Sequence, residues 1–294
     1  MYYRRKIILS ILHQFDGALG KTDFQKLLFL YNKENKSNYY DFVPYKYGCF
    51  SFQAQQDIST MMKYGQVSDT DDGWTKIDDE NYINELKMKD KISLITLFKN
   101  YKDIRGNQLI KYVYDKYPYY AINSEIKERV LDINEIKQID KHRPVNNITA
   151  LYTIGYEGIS VEEYANKLIQ HDIKLLCDVR KNPLSMKYGF SKNQLKYIVE
   201  NVGIEYLHIP ELGIHSDKRK NLESFEDYKL LFDDYKETVI PEQQESLKFI
   251  DKLVNDKKRI ALTCFEADHH YCHRNEITHA VLEIKKEEYD VIHI

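Results

Sequence analysis

Cysteine is scarce in this chain of 294 residues, and its four copies (Cys49, Cys177, Cys264, Cys272) show no regular pairing. That argues against a disulfide framework and for a reducing compartment. Long apolar runs are also missing. No window approaches the roughly 20 apolar residues of a membrane span. The amino-terminal Met1 to Leu9 holds too short an apolar run for a signal peptide. We therefore expect a cytoplasmic protein without a membrane partner. Excess charge of one sign is lacking too: 43 Lys and Arg stand against 46 Asp and Glu, a net charge of -3. Bulk attraction to nucleic acid is not expected, although a local basic face stays open. One Trp accompanies 25 Tyr. We read this mainly as compositional bias, with base stacking by some tyrosines as the lesser alternative. Internal repeats and low-complexity tracts are absent.

The two halves differ in pattern. Ile7, Ile8, Ile11 and Leu12 form one apolar stripe at helical spacing. Thr22 with Gln25 reads as a capping box opening a helix through Phe24, Leu27, Leu28 and Tyr31. Ser51 suits the cap of a third helix carrying Ile58, Met61 and Met62, with Gly65 at its end. Gln66 to Ile77 then reads as a hairpin around Asp72-Gly73. Three helices and a hairpin predict a mainly helical, winged-helix-like domain, an arrangement suited to DNA or to a protein partner. Further helices fill residues 85 to about 147. A linker is expected near 141–149, at Lys141-His142-Arg143-Pro144-Val145-Asn146-Asn147. The first domain is thus 1–147 and the second 150–294.

From Ala150 strands and helices alternate. Strands are expected at Leu151–Ile154, Ile173–Cys177, Ile204–His208, Arg259–Thr263 and Tyr289–Ile294. Ser160 with Glu163, and Ser191 with Gln194, read as helix starts. Such alternation predicts an α/β domain with a doubly wound, mostly parallel sheet in three layers, Rossmann-like.

In a parallel sheet the carboxyl ends of the strands share one edge, where ligands bind. Four ends carry polar residues: Tyr156 and Glu157; Asp178, Arg180, Asn182 and Ser185; His208 and Glu211; Cys264 and Glu266. The densest stretch runs from Cys264 to Arg274, with two thiols, three imidazoles and a guanidinium in one strand-to-helix loop. Gly155-Tyr156-Glu157-Gly158 lacks the Rossmann glycine spacing and a Walker lysine, so it reads as a tight turn. Asp178 and Arg180 form either a local ion pair or a base beside an anion clamp. Cys264 is either a buried thiol or a nucleophile. Phosphatase-like loops need an Arg six residues after the Cys, and here that residue is His270. Glu266 is a candidate general acid or base. Cys272, His273 and Arg274 open a helix, whose amides and guanidinium suit an anion. No cofactor is expected. The lesser alternative is zinc held by Cys264, His269, His270, Cys272 and His273, whose spacing matches neither a Cys-x-x-Cys knuckle nor a His-Glu-x-x-His helix.

Residues of about 150–294 resemble the domain-of-unknown-function family numbered 488. The likeness rests on Thr153-Ile154-Gly155-Tyr156, Cys177-Asp178-Val179-Arg180 with Asn182-Pro183 and Ser185, His208 to Gly213, and Cys264-Phe265-Glu266 with Cys272-His273-Arg274. The resemblance implies a compact α/β domain and names no reaction. The amino-terminal half resembles Panacea-type domains of toxin-antitoxin and phage-related loci. That likeness rests on Phe24 to Leu30 and on Pro44 to Gly48 with Phe50-Ser51, while Cys49 departs from the pattern. It implies a role facing protein or nucleic acid, in a defence setting.

Taken together, these residues lead us to expect an enzyme acting on a phosphorylated, nucleotide-like or nucleic-acid substrate, hydrolase- or transferase-like. Asp178, Cys264 and Glu266 would do the chemistry, and Arg180 and Arg274 would hold anionic groups. The alternative is a non-enzymatic nucleotide or nucleic-acid sensor, or a partner-binding regulator.

Overall fold

The helical stripe at Ile7, Ile8, Ile11 and Leu12 is fully buried on α1 (Tyr3–Gln14) in the computed structural model, which describes residues 1–219 and 222–294. The chain divides into two units, Met1–Arg143 and Pro144–Ile294. The first continues through β1 (Ala18–Leu19), α2 (Lys21–Asn35), β2 (Val43–Tyr45), β3 (Gly48–Phe50), α3 (Phe52–Lys63), β4 (Val67–Thr70) and β5 (Gly73–Lys76). Then come α4 (Met88–Tyr101), α5 (Gly106–Lys116), α6 (Lys127–Val130) and α7 (Ile133–Asp140). The β4–β5 hairpin pairs antiparallel, and β1 joins β5 to give the order β1-β5-β4. Three helices, a hairpin and a short strand completing it make a winged-helix-like arrangement. A second hairpin, β2–β3, sits between α2 and α3.

Capping follows the sequence at Ser51, whose hydroxyl accepts from Ala54 N at 3.2 Å. It departs at Thr22 and Gln25. Helix α2 begins at Lys21 with Gly20 as an unassisted cap. Gln25 is buried instead, accepting from Ser51 N at 3.0 Å and reaching Ser51 O at 3.4 Å. Its amide satisfies the backbone of the buried entry to α3, an obligation that outweighs a cap on the surface. Several tyrosines serve the packing of this unit. Tyr3, Tyr31 and Tyr39 all donate to Asp90 on α4, at 2.7, 2.9 and 2.8 Å. A carboxylate buried there would be costly without such donors.

The second unit comprises β6 (Ala150–Gly155), α8 (Val161–Gln170), β7 (Leu175–Asp178), α9 (Lys192–Glu200) and β8 (Glu205–His208). It continues with α10 (Phe225–Thr238), α11 (Gln244–Lys257), β9 (Arg259–Cys264), α12 (Arg274–Ile284) and β10 (Asp290–His293). The five strands are parallel, in the order β10-β6-β9-β7-β8. Ser160 caps α8 by accepting from Glu163 N at 3.0 Å. Ser191 stands before α9 but does not cap it. Its hydroxyl donates to Ser185 O at 3.0 Å, and Gln194 accepts from Gly189 N at 3.2 Å. Both side chains stabilise the loop before the helix instead.

Alternate strand residues face opposite ways. Leu151, Leu175, Cys177, Ile260 and Leu262 share one core with Phe232 and Tyr235 of α10, Ile250 and Val254 of α11, and Ile277 and Val281 of α12. Thr263 faces the other side and accepts from Tyr164 of α8 at 2.7 Å. Each fully buried Leu or Ile contributes about 1.5–3 kcal/mol of apolar burial. Leu262→Ala would cost about 2–5 kcal/mol. The connections out of β6 and β9, hydrogen-bonded neighbours, therefore run to opposite faces. That divergence opens a crevice at the carboxyl ends of these strands. No helix among the described residues is long and apolar enough to cross a membrane.

Candidate active site

Gly155 determines how the site is closed on one side. It pairs with Cys264 at the last register position of β6 and β9. A Cβ on Gly155 would lie 1.8 Å from the carbonyl oxygen of Glu266. Only glycine lets the loop after β9 cross the end of β6 so closely. Tyr156 N and Glu157 N then donate to Phe265 O at 3.0 and 2.9 Å. Glu157 returns the contact, its carboxylate accepting from Ala267 N at 3.1 Å. Arg274, 1% exposed, donates to Glu266 O at 2.6 Å and to Ala267 O at 2.9 Å. The expectation that Arg274 holds an anionic ligand is thus corrected: its guanidinium is a clasp on the loop backbone.

Asp178 and Arg180 also depart from the expected roles. Asp178 is fully buried, and both its oxygens are occupied. Oδ1 accepts from Arg180 Nε at 2.8 Å, and Oδ2 accepts from Arg180 Nη2 at 2.6 Å and Tyr206 OH at 2.7 Å. Arg180 Nη1 donates to Tyr156 OH at 2.8 Å and Phe190 O at 2.9 Å. Four of the five guanidinium N–H groups are therefore committed. Asp178 is no accessible base, and Arg180 is a buried wall of the cleft with one N–H to spare. Tyr156 stacks on Phe190 with centroids 4.2 Å apart, and the Arg180 guanidinium lies 5.1 Å from the Tyr156 ring centroid.

The thiols converge beyond this wall. Ligand atoms of Cys264, Cys272 and His273 all lie within 4.8 Å of one another, and all three residues are buried. His273 Nε2 lies 3.1 Å from Val179 O, an atom that can only accept. Nε2 therefore donates to that carbonyl, and Nδ1 faces the two sulfurs at 3.7 and 3.8 Å. Arg219 reaches the same point from a distant segment. Its Nη2 lies 2.8 Å from His273 Nδ1 and 3.8 Å from Cys264 Sγ, while Nη1 donates to Glu266 Oε1 at 2.8 Å. The Arg219 Nε–H is buried without a partner among the described residues.

This arrangement separates the two thiols electrostatically. The hydrogen bond from Cys272 is the largest influence holding Cys264 well below the ordinary thiol range; burial opposes it, and His273 and then the Arg219 charge help. Burial, then the hydrogen bond to Cys264 and its charge, push Cys272 well above that range. Of the two, Cys264 is the more readily ionised and Cys272 the one that keeps its proton. Glu266 is raised by burial and then by the Cys264 charge, with Arg219 opposing. A proton is thus held more readily on Glu266 than on an ordinary carboxyl.

Cys264 and Arg219 border a cleft of about 370 Å³ together with Tyr156, Arg180, Lys181, Asn182, Ser185, Met186 and Ser216. Gly213 permits its far wall, since a Cβ there would lie 2.1 Å from Lys181 N. Asn182 and Ser185 reach the cleft as expected from the sequence. His208 does not: its Nε2 lies 2.9 Å from Arg180 O, and its Nδ1 accepts from Lys192 at 2.8 Å. Glu211 is exposed on the single turn Pro210–Leu212 and does not border the cleft. Both are corrected from substrate contacts to a backbone prop and a surface residue.

The five proposed zinc ligands do not form one set. Cys264, Cys272 and His273 make the buried group, while His269 and His270 group with Asp268 near the surface. His269 stacks on His293 with centroids 3.6 Å apart. At the buried group Arg219 already lies 2.8 Å from His273 Nδ1 and places its own positive charge 3.8 Å from the Cys264 sulfur. The donor set as arranged fits an anionic thiolate better than a cation. The sequence reading missed Arg219 altogether. It lies 45 residues before Cys264 in a stretch without periodicity, and its only signal was a basic residue in the long loop after β8.

A search of the curated proteins finds no match to the chain. The segment holding Asp178, Arg180, Arg219 and the whole Cys264–Arg274 loop, residues 160–281, matches the family model described as Domain of unknown function DUF488; the match does not extend into the first unit.

Proposed function

We propose that the second unit is an enzyme that acts on a phosphorylated, nucleotide-like or nucleic-acid substrate, with Cys264 as its nucleophile. One observation carries this reading: Cys264 borders the cleft with the Arg219 guanidinium 3.8 Å from its sulfur. The cleft volume lies within the range of small-ligand sites. Arg219 and Lys181 would hold anionic oxygens, and Asn182 and Ser185 would orient the group. Cys264 Sγ would attack the electrophilic phosphorus or carbon, forming a bond to sulfur. The bond to the leaving group breaks as that group takes the Glu266 proton. Water or an acceptor, deprotonated by Glu266, then releases the product and restores the thiolate.

Intact-mass spectrometry after incubation with nucleotides, phosphomonoesters and short oligonucleotides tests it. A covalent adduct on Cys264, lost in Cys264→Ser, is expected with a true substrate. Glu266→Gln should fold normally and lose about 10²–10⁴-fold in turnover. Unchanged turnover would remove Glu266 from the mechanism.

The winged-helix-like first unit favours a second reading, a sensor whose cleft ligand alters binding to a partner. Its wing turn carries Asp71 and Asp72, and Asp69 beside them is already paired with Lys21 at 2.6 Å. These carboxylates repel phosphates, so a protein partner suits this unit better than DNA. Ligand-dependent partner affinity with no product formed would establish it.

A further inference from the structure

Cys272 carries out no step of the proposed reaction; it is completely buried and does not border the cleft. We propose that Cys264 and Cys272 are a peroxide-reactive pair: a hydroperoxide entering the cleft oxidises Cys264, and Cys272 resolves it into a reversible disulfide. This rests on the same reading of Cys264 as a cleft-facing thiolate, and it names a regulation of that site.

Geometry supplies the argument. Both sulfurs lie within 4.8 Å of each other and about equally far from one imidazole nitrogen, 3.7 and 3.8 Å. All four cysteines are free thiols. A disulfide needs the sulfurs at about 2.05 Å, a closure that side-chain rotation about the Cα–Cβ bonds would have to provide. Only one of the two borders the cleft, so an oxidant meets Cys264 first. Arg219, 3.8 Å from that sulfur, supplies a donor for the departing oxygen.

The step balances. Cys264 thiolate attacks the terminal peroxide oxygen and the O–O bond breaks. Sulfur loses two electrons and becomes sulfenic acid, while the peroxide is reduced to an alcohol or water, taking a proton from Glu266 or solvent. Cys272 then gives up its proton to Glu266 and attacks Cys264 Sγ. The S–O bond breaks, hydroxide leaves and is protonated to water, and the S–S bond forms. An external dithiol restores both thiols.

The full chain, freshly reduced and without substrate, should be treated with hydrogen peroxide, alkylated, digested and mapped. We expect a peptide linking Cys264 to Cys272, an intact mass lower by two hydrogens, and reversal by dithiothreitol. Oxidation of Cys264 should outpace that of Cys177 by at least about tenfold, following thiolate fraction. Cys272→Ser should stop at a sulfenic acid on Cys264, captured by dimedone; Cys272→Ala serves if the serine variant fails to fold. The proposal would be overturned by wild-type Cys264 accumulating as sulfinic acid without the link to Cys272, or by Cys49 or Cys177 oxidising first. Stoichiometric metal on the reduced thiols would do the same. Because no substrate is present, the pair can fail while turnover stands, and turnover can fail while the disulfide forms.

Discussion

Gly155→Ala is the sharpest perturbation the geometry offers. The added methyl would lie 1.8 Å from Glu266 O and 2.6 Å from its carbonyl carbon. Ordinary contact begins near 3.4 Å, so the loop must retreat by about 1.6 Å or β6 must lose its register with β9. Retreat stretches the Tyr156 and Glu157 bonds to Phe265 O and draws both carbonyls away from Arg274. Two backbone bonds at about 1 kcal/mol each and overpacking of about 1–3 kcal/mol give a loss of about 3–5 kcal/mol. For a unit of this size the melting temperature should fall by about 6–20 °C. Chemistry should suffer as well, because Glu266 and Arg219 move relative to the sulfur. The assay is alkylation of Cys264 against pH, with Cys177 as internal control. In the native protein Cys264 should react below the ordinary thiol range, while Cys177, pushed up to about 12 mainly by burial, stays silent. In the variant the Cys264 profile should shift upward toward that of a free thiol. A melting temperature within about 1 °C of native and an unchanged Cys264 profile would refute the account of the loop.

Two further outcomes concern a buried ion pair and a shifted imidazole. Asp178→Asn leaves the buried Arg180 guanidinium facing a neutral partner, and urea unfolding should show a loss of about 3–5 kcal/mol. A loss within experimental scatter would mean that Arg180 finds another partner. His293 is pushed down to about 4, first by burial and then by the His269 charge. The unfolded chain takes up that proton from about pH 6.5. Stability should therefore decline as pH falls from about 6.5 to about 4 and level off below, because the unfolded state binds more protons in that window. Thermal melts of His293→Gln should lose this slope; an identical slope would assign it to other groups.

Much of the fold is legible in the residues because its signals are local. The strands of the second unit carry dense apolar runs, and Ser160 and Ser51 sit where helices need acceptors. The parallel order also follows, since alternating strands and helices leave few other ways to bury Leu151, Ile260 and Leu262. Illegible parts depend on what a side chain meets in three dimensions. Gln25 and Ser191 match capping patterns, yet each satisfies a loop backbone that sequence spacing does not reveal. Arg180 and Arg274 look like anion clamps because guanidinium groups next to a candidate site usually are. Their partners are a carboxylate two residues away and two backbone carbonyls, and carbonyls leave no mark in the sequence. Asp178, two residues before Arg180, offered the ion pair as one of two readings. Arg219 belongs to the site only through the long return from β8 to β9.

The Arg274 clasp has a consequence for how the site could diversify. A guanidinium that grips carbonyl oxygens holds atoms that every residue type possesses. Side chains at Ala267, Asp268, His269, His270 and Tyr271 are therefore uncoupled from the loop's anchorage at its Glu266–Ala267 end. Substitutions there can reshape the rim of the sheet edge without loosening Cys264 or Glu266. The protein thus anchors its reactive centre through backbone atoms, a grip that asks nothing of the side chains beside it.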